Sequence, residues 1–140
     1  MDLADVVRAS NEVGATRSRK QKQARLAALL RRLSPDEVPV AVSYLSGTLP
    51  QGRIGLGGAA FRDLDPGPPT AAAPPLSLLE VHRRFDDIAA IAGAGSKGRR
   101  REALGALLAR AAGDERAFLT RLVLGELRQG ALLGVMVEAV

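Results

Sequence analysis

The sequence predicts an all-α fold: two internally repeated three-helix units related by pseudo-two-fold symmetry and joined by a Pro-rich linker. Three observations carry this expectation. First, the chain matches itself. Laying Ser18 on Ser96 without gaps also lays Leu26 on Leu104, Ala28-Leu29-Leu30 on Ala106-Leu107-Leu108, Arg32 on Arg110 and Asp36-Glu37 on Asp114-Glu115. The same shift sets Gly47-x-Leu49-x-Gln51-Gly52 over Gly125-x-Leu127-x-Gln129-Gly130. Ala/Leu matches follow from composition, but the Ser, Arg, Asp-Glu and Gln matches do not, and a repeat decides architecture before any finer feature. Second, the apolar 46% of the chain is mostly Ala, Leu and Val, and the only aromatics are Tyr44, Phe61, Phe85 and Phe118. Small aliphatic side chains suit close helix packing. Third, apolar residues recur at helical spacing, as in Leu104, Leu107, Leu108 and Ala111.

The first unit, about residues 2–62, opens with a helix over Leu3–Val13. Ser18 and Gln21 form a capping box for the next, which carries Leu26, Leu29, Leu30 and Leu33 on one face. A third helix runs from near Glu37 to Leu49, with Pro39 tolerated only in its first turn, where its missing N–H costs nothing. Arg53-Ile54-Gly55-Leu56-Gly57-Gly58 then makes a glycine-rich loop. The linker, about 63–76, contains "DPGPPTAAAPP", whose prolines favour an extended connection of ~34 Å over eleven residues. The second unit, about 77–140, starts at a capping box of Ser77 and Glu80 and runs through Phe85, Ile88 and Ile91 to Gly93. A helix from Ser96 follows, then one from Arg116 to Leu127 capped by Asp114 and closed by the Arg128-Gln129-Gly130 turn. The final "ALLGVMVEAV" reads as an apolar helix without a C-cap. The expectation is a single helical domain over 1–140 that is a fragment of a longer protein.

At 140 residues the chain is long enough to bury a core. It contains no cysteine, which excludes disulfides and thiolate metal sites, and its one histidine is His82. "MDLADVV" lacks the basic start and apolar run of a signal peptide, and no stretch of ~18 apolar residues occurs, so no membrane partner and a cytoplasmic location are expected. A net charge of +5 and a pI of 10.7 point towards a polyanion.

Two basic clusters carry the chemistry. Arg19, Lys20, Lys22 and Arg25 follow Ser18; Lys97, Arg99, Arg100 and Arg101 follow Ser96. Both fall in the first turns of predicted helices, where cations oppose the helix macrodipole at ~0.3–1 kcal/mol each. A bound anion resolves the conflict, since free helix N–H groups, a Ser hydroxyl and basic side chains together cradle phosphate. The competing reading is a solvated charged face, which the recurrence at matching positions disfavours. "GAGSKG" (Gly93–Gly98) fits the dinucleotide pattern G-x-G-x-x-G, but no β-α-β unit surrounds it, so it reads as a loop for backbone phosphate. Neither a K-x-D-G nor a Walker lysine motif is present. Asp86-Asp87 and Asp114-Glu115 read as capping or ion-pairing acids, His82 as a residue at its helix's edge, and the four aromatics as core.

Three stretches resemble the N-terminal DNA-binding domain of bacterial ATP-dependent DNA ligases. "RAFLTRLVLGELRQGALLGVMVEAV" is similar to that family's G-[EK]-L-R-x-G turn and following helix; "GAGSKGRRREALGALLARA" to its G-x-G-S-x-x-[KR] loop and helix; "SYLSGTLPQGRIGLGGAAF" to its L-x-x-x-x-G-[VIL]-G loop. The motifs keep the family's order, while the short Pro-rich linker and Pro50-Gln51 depart from its pattern. The resemblance implies sequence-independent binding of nicked double-stranded DNA from the minor-groove side, in a ligase that seals nicks in repair, recombination or replication at the bacterial nucleoid. It also implies separate adenylation and oligonucleotide-binding-fold domains, with ATP and magnesium serving the full-length protein; no cofactor and no catalysis are expected here. The candidate DNA-contacting residues are Ser18, Arg19, Lys20 and Lys22; Gly52, Arg53, Gly55 and Gly57; Gly95, Ser96, Lys97, Arg99 and Arg100; and Arg128 and Gly130. Catalytic and metal-ligating residues are expected to be none. A helical-repeat protein-interaction module is the rival reading, separable by salt dependence. A sequence-reading helix-turn-helix would need a helix face for base edges, which none here offers.

Overall fold

The structure, a computed structural model, describes residues 1–52, 54, 56, 58, 61, 74–111 and 113–126. Among them the chain is helical: α1 (Leu3–Ala15), α2 (Arg19–Arg32), α3 (Val38–Leu45), α4 (Leu78–Ala90), α5 (Ser96–Ala109) and α6 (Gly113–Leu124). The described residues form no strand longer than one isolated antiparallel bridge, Asp2 to Ser77. Most of the proline-rich linker, the Arg128-Gln129-Gly130 turn and the final apolar helix lie outside the described residues.

That bridge fixes how the two halves meet. Asp2 and Ser77 are the extended N-cap residues of α1 and α4. The Leu3 N–H donates to the Leu76 carbonyl and the Leu78 N–H to the Met1 carbonyl, each at 2.9 Å. Two orphan donors of helix first turns are thereby satisfied crosswise. From this junction α1 packs against α2, α3 and α6, while α4 packs against α3 and α5. The third helix of each half thus lies on the first helix of the other. Leu3, Val6, Leu26, Tyr44, Leu45, Leu78, Val81, Phe85, Leu104, Leu107 and Leu119 are fully buried in one core.

Ion pairs tie second helices to first helices in both halves. Arg32, at the end of α2, lies 3.9 Å from Asp5 in the first turn of α1, and Arg25 bonds Glu12 at 2.8 Å. Arg110, the C-cap of α5, bonds Glu80 in the first turn of α4, which Arg84 also approaches at 3.7 Å. The Arg110 hydrogen bond holds the Glu80 carboxyl below the usual carboxylate range. Glu37 is lowered likewise, by the Met1 ammonium and the Ser34 N–H.

Several helix ends differ from the sequence expectation. Helix α1 continues to Ala15, and α3 stops at Leu45 instead of Leu49. The early stop is a Schellman cap: Gly47, at φ 84°, donates to the Tyr44 carbonyl, and the Thr48 N–H to the Ser43 carbonyl, each at 3.0 Å. Helix α6 starts at Gly113 and ends at Leu124, so Asp114 lies inside its first turn, where a carboxylate complements the dipole, and is not its cap. Its end repeats the Schellman pattern: the Gly125 N–H reaches the Leu122 carbonyl (3.3 Å) and the Glu126 N–H the Arg121 carbonyl (2.9 Å). Pro39 sits in the first turn of α3, as expected.

Candidate nucleic-acid interface

The basic starts of α2 and α5 are built differently. Ser18 is the N-cap of α2, its Oγ accepting from the Gln21 N–H at 3.3 Å. The reciprocal arm of the capping box passes through Thr16, whose Oγ1 accepts the Ser18 N–H (3.2 Å) and donates to Gln21 Oε1 (2.6 Å). At α5 the N-cap is Gly95, at φ 74°, and Ser96 is the first helical residue. Ser96 is therefore not the structural counterpart of Ser18; the left-handed backbone of Gly95 turns the chain into the helix and leaves no side chain to cap it. At Ser77 the N-cap expectation holds: its Oγ accepts the Glu80 N–H at 3.1 Å. Glu80 itself is turned to Arg110.

No acidic residue occupies the first turn of α2 or α5. Lys20 and Lys97 are exposed and Lys22 half-buried, and none of the three ammonium groups has a hydrogen-bond or ion-pair partner among the described residues. Arg19 is exposed beside them. The charge of the three lysines thus stands, without a counter-ion among the described residues, against the positive ends of two helix dipoles, an arrangement that favours an anion.

The arginines of α5 are engaged with backbone. Arg99 is exposed, and its Nη2 donates to the carbonyls of Ala92 (2.7 Å) and Ala94 (3.4 Å). Arg100 is turned further in. Its Nε and Nη2 donate to the Ile91 carbonyl at 2.8 and 2.5 Å, Nη2 reaches the Ala89 carbonyl at 3.4 Å, and Nη1 donates to the Ile54 carbonyl at 3.0 Å. Arg53, Gly55, Gly57, Arg128 and Gly130 lie outside the described residues. Gly52 is exposed, at φ 73°.

Sequence reasoning missed Gln51 as an anchor. Its Nε2 donates to Asp86 Oδ1 (2.7 Å) and the His82 carbonyl (3.3 Å) and sits 3.2 Å from His82 Nδ1. An amide nitrogen donates and does not accept, so in any bond to Nε2 the His82 Nδ1 is the acceptor. His82 is half-buried on α4, with its Nε2 3.6 Å from Asp86. The recurrence of Gln at matched positions was the available signal. Nearby, burial pushes the Tyr44 phenol up, with the Asp86 charge adding to the effect. Among the described residues no group of three or more His, Asp or Glu side chains is placed to hold a metal ion.

Helices, core and basic helix starts together define an all-helical module with anion-attracting ends. The profile described as DNA ligase N terminus matches residues 55–140. Curated relatives match the whole chain: a "Probable DNA ligase" of Anaeromyxobacter dehalogenans strain 2CP-1 is 53% identical over 141 residues, another from Anaeromyxobacter sp. strain Fw109-5 54% over 140, and one from Mycolicibacterium gilvum 49% over 140. The chain spans 28%, 27% and 27% of those three proteins' lengths. It belongs to the DNA ligase N terminus family, the N-terminal domain of ATP-dependent DNA ligases.

Proposed function

We propose that this chain binds nicked duplex DNA without sequence preference, from the minor-groove side, as the DNA-gripping domain of an ATP-dependent ligase. The carrying observation is the set of unpartnered lysines, Lys20, Lys22 and Lys97, in first turns that hold no acid. Ser18, Arg19, Lys20 and Lys22 engage one backbone, and Gly95, Ser96, Lys97 and Arg99 the other, with Gly52, Arg53, Gly55, Gly57, Arg128 and Gly130 between them. Adenylation and an oligonucleotide-binding fold belong to other domains of the full protein, and ATP and magnesium act there. The reading extends to nick sealing in repair, recombination or replication in the bacterial cytoplasm, at the nucleoid.

The domain is read as two units, about 2–62 and 77–140, with a linker at 63–76, related by a pseudo-two-fold axis through the Asp2–Ser77 bridge. Exchanging α1, α2 and α3 with α4, α5 and α6 turns the α1–α2 contact into α4–α5 and α1–α6 into α4–α3, both of which occur. The crosswise bonds Leu3 to Leu76 and Leu78 to Met1 exchange in the same way. Such symmetry fits a duplex, whose antiparallel strands carry a two-fold of their own.

A salt titration of duplex binding tests the reading. With roughly five to eight phosphate contacts the log-log slope is expected at about −5 to −7, at ~0.9 per phosphate. Binding that is flat between low and moderate salt would favour an apolar protein-docking surface instead.

A further inference from the structure

We infer that Arg100 is a positioning residue, setting the main chain at Ile54 against the start of α5 without itself gripping phosphate. This rests on the proposal that the loop and the α5 start meet DNA together. The basis is where the guanidinium points. Ile91 is the C-cap of α4 and Ala89 lies in its last turn, so two of the carbonyls that Arg100 engages belong to a helix end whose acceptors lack intrahelical partners. A fixed cation there also complements the negative end of the dipole.

The remaining bond reaches across the halves, to the Ile54 carbonyl at 3.0 Å. The Ile54 side chain is itself buried, at 2% exposure, so that residue is held by its side chain below and its carbonyl above. Three residues earlier, Gln51 fastens the same segment to His82 and Asp86 of α4. Gly52, exposed between these anchors, carries no side chain that limits how closely a ligand approaches its backbone. The planar fork is what makes the arrangement possible, because one group points donors at three carbonyls in fixed directions; an ammonium on a flexible stem does not reproduce it. The ammonium of Lys22, the position that the repeat aligns with Arg100, has no partner among the described residues, so the clamp is a device of the second unit. A sequence reading groups Arg100 with Lys97 as a phosphate contact; the geometry separates them.

The test compares Arg100→Lys, Arg100→Gln and Lys97→Ala in this chain, by salt titration of duplex binding with helicity and melting recorded alongside. Arg100→Lys keeps the charge, so a phosphate grip would survive it; positioning instead predicts an affinity loss of about tenfold, the scale of lost charge-assisted hydrogen bonds. Arg100→Gln removes the charge, yet its salt slope is expected to equal the parent's, whereas Lys97→Ala lowers the slope by ~0.9. Unchanged helicity at the assay temperature keeps these losses distinct from unfolding. An Arg100→Lys variant with parental affinity, or an Arg100→Gln slope lowered by about one, overturns the inference. If the parent does not bind duplex at all, the functional proposal fails by itself. The positioning claim is then read from amide hydrogen exchange around Gly52 and Ile54, which Arg100→Lys is expected to accelerate and which, if unchanged, rejects it.

Discussion

Glu80 lies in the first turn of α4, where its charge meets the helix dipole, Arg110 and Arg84 at once. Arg110 is the main reason its carboxyl is held below the ordinary range. A lowered carboxylate pKa contributes stability that is complete above the unfolded value, about 4.3. That contribution disappears as pH falls through the folded value. Glu80→Gln should therefore be less stable than the parent at pH 7, by about 1 kcal/mol for a partly solvated pair. Denaturant melts at pH 7 and pH 3 measure the difference; a gap of equal size at both would rule out the ion pair as its source. At this scale the sequence was only partly legible. The charge of Lys97, Arg99 and Arg100 is plain from the letters, but that the guanidinium of Arg99 turns back on the loop before its helix, and that of Arg100 across to Ile54, is not. Ser96 shows the same limit, since the left-handed turn at Gly95 moved the cap by one residue.

Helix existence was readable and helix ends were not, and Gly47 and Gly125 explain why. Apolar spacing continues past both, to Leu49 and Leu127, so periodicity alone extends α3 and α6 too far. What stops them is a glycine at φ 84° and at φ 72°, each closing the last turn with the same pair of backbone bonds. The matched glycines of the sequence repeat thus have one conformation and one task. Ala at Gly125 would meet open space, so any cost comes from the backbone alone. Gly125→Ala should destabilise by about 1–2 kcal/mol, the penalty of a left-handed L-residue. Gly14, in the last turn of α1, also faces open space but has no positive φ. Gly14→Ala should therefore stabilise, by about 0.5–1 kcal/mol. Thermal melts of the two variants check the pair, and equal signs would show that these helix ends are misassigned.

In the molecule as a whole, the two halves are not independent bodies joined by a linker. Sequence identity marks which segments are alike and not which ones touch. The packing crosses: α3 lies on α4, and α6 lies on α1. Each first helix buries its apolar face partly against the other half, and the Leu3 and Leu78 first turns are bonded across the junction. A half on its own would leave Leu3, Val6 and Val7 of α1, or Leu78, Val81 and Phe85 of α4, short of part of their cover. Fully burying such side chains is worth roughly 1.5–3 kcal/mol each. Against a net stability of about 5–15 kcal/mol for a whole domain, that loss is decisive. Peptides covering 1–62 and 74–140 should each show little helix alone. Mixed at equal concentration they should regain the helicity of the intact chain, at a rate that rises with concentration because the two must meet before α1 and α4 are covered. Circular dichroism of each peptide and of the mixture decides it. A half that folds cooperatively by itself would mean that the crossed contacts are incidental and that each unit carries its own core.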